Sequence, residues 1–294
     1  MSTEFVSFLS PPGKDIKDYN RSFPPAEQPS SIHHIFRDSM YVREEVFVKE
    51  QHVPLERELD SEDQYSYHWV VYASVGAPKG QDAKPVRGFG GPSSPRNPLA
   101  VGNYASVEKA ESADMKRSRS GSTATNLPVG VIRLVPPPDA VSRRRRNSTP
   151  HSPTPDSAHP EHHHQQDDDD DNIPHPTVFP GERYIRLGRL ATLKDYRGLG
   201  LSRLLVNAAL QYARKHPEEF APPRVEGVAL EEARMEGRHV NDTWKGLVYV
   251  HAQKNRTLEL WKRYGFEVDE GMGTWDEEGM DHVGMYKRLE IDTQ

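Results

Sequence analysis

The stretch YIRLGRLATLKDYRGLGLSRLLVNAAL, from Tyr184 to Leu210, constrains this chain more than any other. Ile185 and Leu187 are apolar in one phase of a strand, and past Gly188 and Arg189 the phase moves to Leu190, one residue out of step. Strand side chains alternate between faces, so a one-residue slip reverses which face is buried and places a bulge near Gly188 to Ala191. A bulge leaves backbone groups unpaired. Leu201, Leu204, Leu205, Ala208, Ala209 and Tyr212 then recur at helical spacing until Lys215, His216 and the stop at Pro217. Arg197, Gly198 and Gly200 therefore stand at the entrance of an amphipathic helix, where free N–H groups and the positive end of the macrodipole favour an anion. Glycine lets the backbone approach such an anion closely, and Arg197 adds charge. The same residues also suit a strand-to-helix turn with no ligand. They fit two familiar phosphate loops less well, because no Gly-Lys-Ser/Thr follows and the third glycine of a dinucleotide-binding turn is missing.

Around this unit the chain alternates between patterned and biased segments. With 294 residues it has room for two domains, but 25 prolines, 21 glycines and a mean hydropathy of −0.82 favour one domain carrying long polar insertions. Residues 1–31 are Pro- and Ser-rich without a sustained period and read as a flexible N-terminal arm. The domain, 32–294, opens with IFRDSMYVREEVFVKEQ, where Phe36, Met40, Arg43 and Phe47 keep helical spacing. Tyr67 to Ser74 is a compact aromatic and β-branched run that suits a buried strand, and Val129 to Val135 is a second strand bracketed by prolines. Residues 76–126 and 139–176 hold too few apolar side chains to offset their ordering entropy and read as disordered insertions. After the helix come a further loop, a strand, a helix and a final strand pair.

Composition excludes several classes. The formal net charge of −6 makes no global case for nucleic acid or membrane, and the absence of cysteine rules out a disulfide scaffold or a thiol nucleophile. No apolar run approaches the roughly 20 residues that span a bilayer, and the start MSTEFVSFLSPPGKD has no signal-peptide core. The expected location is cytoplasmic, with a nuclear fraction if Arg143 to Arg146 acts as an import signal instead of a solubilising tract. His162 to His164 beside a run of aspartates lacks the fixed geometry of a metal site, so no metal is expected. Nothing in the sequence specifies an oligomer.

LATLKDYRGLGLSRLL resembles the acyl-CoA pyrophosphate loop of the GNAT superfamily of N-acetyltransferases, written R/Q-x-x-G-x-G/A, with Arg197, Gly200 and Ser202 at its named places. VREEVFVKEQHVPLERELDSEDQYSYHWV, from Val42, and VHAQKNRTLELWKRYGFEVDEGMGTWDEEGMDHVGM, from Val250, are similar to the ElaA/YjcF-like branch. The resemblance implies a mixed α/β fold in which a bulged, splayed mixed sheet is flanked by helices and acyl-CoA lies in the gap. It implies that backbone groups at Leu190, Ala191 and Thr192 hold the pantetheine arm and thioester carbonyl. It assigns the pyrophosphate to the amides of Arg197, Gly198, Leu199, Gly200, Leu201 and Ser202, and a CoA-arm contact to Asn255.

Acetyl transfer to an amine needs a neutral nitrogen, a polarised carbonyl and a proton for the leaving thiolate. The acidic run KEQHVPLERELDSED offers Glu50, Glu56, Glu58, Asp60 and Asp63, of which Glu50 and Asp60 are the preferred catalytic candidates; any one of them also reads as a solvated loop charge. His251, in the strand beside the gap, is a candidate base or a satisfied structural histidine, and His282 stands in the same position. The family's usual tyrosine, in FYxKxGF, is replaced in LWKRYGF by Trp261, which reads as packing; Tyr264, nearly one helical turn on, is a candidate for its place, and departure of the thiolate without a side-chain acid or with water as donor is the alternative. The leading expectation is an acetyl-CoA-dependent N-acetyltransferase for a small-molecule amine such as an amino sugar, polyamine or amino-acid derivative. A non-catalytic acyl-CoA-binding module and a protein-lysine acetyltransferase are the alternatives.

Overall fold

The computed structural model describes residues 6–75, 125–137, 173–221 and 243–292. They form one mixed sheet in the order β1-β2-β3-β4-β5-β8-β6, with β7 also pairing β8. The strands are β1 (Val6–Leu9), β2 (Tyr67–Val75), β3 (Thr125–Val135), β4 (Ile185–Thr192), β5 (Leu247–Gln253), β6 (Glu267–Val268), β7 (Thr274–Glu277) and β8 (Met280–Arg288). Every pairing is antiparallel except β4 with β5. The helices are α1 (His34–Arg43), the single turn α2 (Leu55–Glu58), α3 (Leu201–Lys215) and α4 (Leu258–Arg263).

Alternation along the strands separates two cores. Trp69, Val71, Ile132, Leu134, Ile185, Leu187, Val248 and Val250 face α3, whose Leu205, Val206, Ala209 and Ala213 are buried against them. Full burial of each large aliphatic side chain contributes about 1.5–3 kcal/mol, so α3 is held by its apolar stripe rather than by propensity alone. A Cβ at Gly130 would lie 2.9 Å from Val71 and 3.2 Å from Leu205, so this glycine permits the close approach of helix and sheet. On the opposite face Val70, Val131 and Ala191 pack against Ile35, Phe36, Met40 and Val46 of α1 and its continuation. Leu247 and Tyr249 form a smaller cluster with Met272 and Trp275 on that face.

The N-terminal expectation needs correcting. Residues 6–31 are not an arm: β1 pairs with β2 in register Val6↔Val71 to Leu9↔His68, and Leu9, Ile16 and Tyr19 enter the α1-side core. The apolar residues of this segment are too widely spaced to show a period, yet each meets a partner supplied by distant sequence. The insertion expectations, 76–126 and 139–176, fall almost wholly outside the described residues. Their described ends, Thr125 and Asn126 in β3 and Ile173 packed near Tyr249, belong to the fold. The expected final strand pair is three strands, β6 and β7 each pairing with β8.

The amphipathic segment after Ile32 is helical as its spacing indicates, but only to Arg43. Glu44–Glu50 continues as a π-helix, a wound-out geometry often found beside functional sites. It carries Glu50 to the same edge of the molecule as the glycine turn.

Candidate functional site

The bulge lies where the phase slip places it. Val131 stands opposite Ala191 and Arg133 opposite Gly188, so two steps along β3 match three along β4. Leu187 and Leu190 accordingly face the α3 side, whereas Ala191 packs into the α1-side core. Arg189 has φ 51°, a left-handed conformation that side-chain-bearing residues rarely adopt.

Beyond the bulge the sheet opens. β4 pairs with β5 only from Ile185↔Val248 to Leu187↔Val250, although β4 runs on to Thr192 and β5 to Gln253. Among the described residues, the edge of β4 from Gly188 onward therefore has no strand partner on the β5 side, and its backbone groups face a gap. Leu190, Ala191 and Thr192 lie along this edge.

Next in the chain, Lys194–Tyr196 forms a 3-10 turn and Gly200 caps α3. Gly198 and Gly200 have φ 80° and 81°, and a Cβ on either would have nothing within 4 Å. The glycines are thus required by backbone conformation, and the space in front of them is open. Leu199 between them is 58% exposed. No carboxylate occupies the first turn of α3, so the helix's own sequence sets no anion against its free N–H groups and dipole.

Arg197 is already committed. Nε donates to the Thr192 carbonyl at 2.9 Å, and the two terminal nitrogens donate to the Glu50 carboxylate at 2.7 and 2.6 Å. The bond to Arg197 holds the Glu50 carboxyl below the usual range, so Glu50 is ionised and paired, a poor proton acceptor. Glu50 is thereby held at the glycine turn.

Asp60 fares similarly. Both of its oxygens lie 2.7 Å from Arg133 Nη1, and Oδ2 also accepts from Arg189 at 3.1 Å. Burial raises its carboxyl, but the charges of Arg133 and Arg189 outweigh this and hold it ionised. Glu58 and Asp63 are fully buried on Arg43, at 2.6 and 2.7 Å. Glu58, Asp60 and Asp63 of the acidic run are therefore not solvated loop charges, and their partners sit on α1, β3 and β4, whereas Glu56 is exposed.

His251 alternates to the α1 face of β5 with Trp275 edge-on at 5.1 Å. Its Nδ1 is 3.4 Å from Glu277 Oε2. Burial lowers the imidazole more than the Glu277 contact raises it, with Arg186 adding to the lowering, so the ring is neutral near pH 7. Burial raises Glu277, yet the hydrogen bond and charge of His251 prevail and bring its carboxyl to about 2. Glu277 carries no signal in the sequence, because the β7–β8 hairpin and not a motif brings it to His251. His282 stacks on Trp275 and its Nδ1 lies 2.9 Å from the Met280 carbonyl. Gln253, the last residue of β5, donates to Gln51 at 2.8 Å, tying the β5 edge to the end of the π-helix.

Across the turn, Ser202 Oγ and the Tyr264 hydroxyl are 3.0 Å apart. Burial raises the Tyr264 phenol further than Ser202 lowers it, leaving it protonated. Trp261 is 3% exposed within the α3-side core, as its reading as packing requires. Asn255 is exposed beside Gln253 and Arg256 at the mouth of a shallow polar cleft closed by Gly279 to Asp281. Among the described residues no group of three or more His, Asp or Glu side chains could hold a metal ion, and no helix is long and apolar enough to cross a membrane.

The comparisons with known proteins bear on the stretch that holds the bulge and the glycine turn. Residues 125–221 match the acetyltransferase (GNAT) family. Over 36 residues, 12% of this chain, it is 61% identical to an uncharacterized N-acetyltransferase, YjcF, of Bacillus subtilis strain 168; the match spans 26% of that protein. Among solved structures it is similar to Escherichia coli ElaA, at 13% identity and a TM-score of 0.39, over 96% of this chain and 98% of that one. It is similar also to an acyl-CoA N-acyltransferase from Pseudomonas aeruginosa, at 17% identity and a TM-score of 0.38, over 86% and 89% of the two chains.

Proposed function

We propose that this chain is an acetyl-CoA-dependent N-acetyltransferase that acylates the primary amine of a small molecule, such as an amino sugar, polyamine or amino-acid derivative, by direct attack in a ternary complex. The observation that carries the reading is the unpaired edge of β4 facing the gap, continuous with the open turn at Gly198 and Gly200. Acetyl-CoA fits these residues: bare backbone meets the pyrophosphate where a side chain would intrude, and the edge of β4 meets the pantetheine arm. When bound, it supplies an activated thioester carbonyl.

The chain's own groups supply the rest. Backbone groups at Leu190, Ala191 and Thr192 orient the arm and polarise the carbonyl. Neutral His251, with Nδ1 turned toward Glu277, takes the proton of the attacking amine on Nε2, directly or through water. The imidazolium so formed is stabilised by ionised Glu277, which orients the ring from behind. Tyr264 is a protonated phenol linked to the helix entrance through Ser202, and is the donor candidate for the leaving thiolate in place of buried Trp261.

The test is incubation of the full chain with acetyl-CoA and a broad panel of amines while free thiol is followed. Amine-dependent thiol release that falls about 100-fold or more in His251→Ala supports the reading, in line with the usual contribution of a general base. Tight binding of acetyl-CoA with no thiol above background for any amine would identify a non-catalytic acyl-CoA-binding module. Because the base must be neutral and burial lowers its pKa, the rate should rise with pH along a limb lying below the ordinary histidine value of about 6.5. A limb above that value contradicts His251 as the base.

A further inference from the structure

Three side-chain-bearing residues in the described chain have positive φ, and Arg189 is the one that lies within a strand. A glycine would take its backbone without strain, and Gly188 directly precedes it. An arginine nevertheless occupies the strained position, and its guanidinium shows why. The Nη2 group donates to Asp60 Oδ2 at 3.1 Å, and Nε lies 3.3 Å from Glu58 Oε1, a charge contact without hydrogen-bond alignment.

Neither carboxylate is free to follow the bulge if it moves. Glu58 is fixed by Arg43, whose side chain is 0% exposed, and Asp60 by Arg133, whose side chain is 4% exposed. Arg133 also reaches Asp63 at 3.0 Å, and Asp63 closes the circuit back to Arg43. A rigid ionic frame thus runs from the C-terminal end of α1, through α2 and the loop after it, to the residue at which β4 leaves register. That residue immediately precedes Leu190 to Thr192 on the edge that faces the gap.

We propose that Arg189 is a positioning residue: its clamp on Glu58 and Asp60 fixes the bulge and so aims the unpaired backbone groups of Leu190 to Thr192 at the acyl donor. The proposal rests on the acetyl-CoA reading and deepens it. It gives the acidic run LERELD, Leu55 to Asp60, a part in transfer without any contact with the acceptor. It also separates the donor site in two, a turn that holds pyrophosphate independently of Arg189 and an edge that holds the acylated arm only while Arg189 is clamped.

The experiment compares wild type, Arg189→Gly and Arg189→Lys as full chains. Thermal melting is measured, with affinities for acetyl-CoA and for 3′-phospho-ADP, the fragment that reaches only the turn. The infrared band of acetyl-CoA carrying a labelled carbonyl is recorded in each complex. Arg189→Gly relieves the backbone strain while removing the clamp, so its melting temperature and fragment affinity should stay near wild type. Its acetyl-CoA affinity should fall by about tenfold, and the carbonyl band should return toward its position in water, as expected for loss of orientation. Arg189→Lys keeps the charge without the fork and should fall between the two. If Arg189→Gly fails to fold, the lysine variant decides by the same ratio of the two affinities. Equal affinity ratios and an unshifted band in the folded variants overturn the proposal alone. A wild-type chain that binds neither compound overturns the acetyl-CoA reading, and the proposal with it.

Discussion

Of the places where arginine pairs with carboxylate among the described residues, two do opposite work. In the frame of Arg43, Glu58, Asp63 and Arg133 every side chain is at most 4% exposed and every charge has several fixed partners. At the glycine turn, Arg197 and Glu50 make an equally well-formed fork, but their side chains are 41% and 35% exposed and the space beside them is open. Burial is what separates them. A pair sealed from water cannot exchange partners without leaving a charge stranded, so it sets geometry; a pair at the surface costs little to open, so an arriving anion can replace Glu50 on Arg197.

The largest effect should come from breaking the frame. Arg43→Met strands Glu58 and Asp63, and chemical denaturation should show a loss of about 3–5 kcal/mol; a loss under about 1 kcal/mol would place the frame in the same class as the surface fork. Acid should reach the frame next. His68, wholly buried beside Asp63, has its pKa lowered to about 4, burial outweighing the attraction of Asp63. Between about pH 6.5 and 4 the unfolded chain binds a proton that the folded chain does not. Stability is therefore fully present above pH 6.5 and falls by up to ~3 kcal/mol as pH drops through that window. His68→Gln should flatten the dependence, and an unchanged slope would remove His68 from the account.

At the turn the effects are smaller and differ in kind. Gly200→Ala puts a side chain on a φ of 81° and should cost about 1–2 kcal/mol of stability, seen by the same denaturation. The smallest change in stability should come from Glu50→Gln, within about 1 kcal/mol. That substitution should nevertheless tighten acetyl-CoA binding in a calorimetric titration, because Arg197 no longer has to leave a carboxylate. Weaker binding would mean that Glu50 holds Arg197 in place for the ligand instead of competing with it.

The same contrast explains what the sequence could tell. The turn, α3 and the bulge are local, so the apolar spacing of Leu201 to Tyr212 and the slip between Leu187 and Leu190 display them directly. The frame is not local. Asp60 meets Arg133 and Arg189, 73 and 129 residues away, and a run rich in carboxylates looks solvated until those arginines fold over it. For the same reason Glu50 and Asp60, chosen for their places in a motif, proved to be arginine partners. His251 was found in its strand, but its partner Glu277 was not, since only the β7–β8 hairpin brings the two together. Residues 6–31 escaped notice because an edge strand of four residues borrows its order from β2.

The central claim is that the exposed turn is a binding site and the buried frame is its scaffold. Calorimetric titration of acetyl-CoA into full-length wild type and Arg197→Ala tests it most directly. The account predicts one molecule bound per wild-type chain and a loss of about tenfold or more in the variant, as for a charged hydrogen bond to phosphate, with folding stability changed by no more than about 1 kcal/mol. Absence of binding to wild type, or equal affinity in the two proteins, would contradict it.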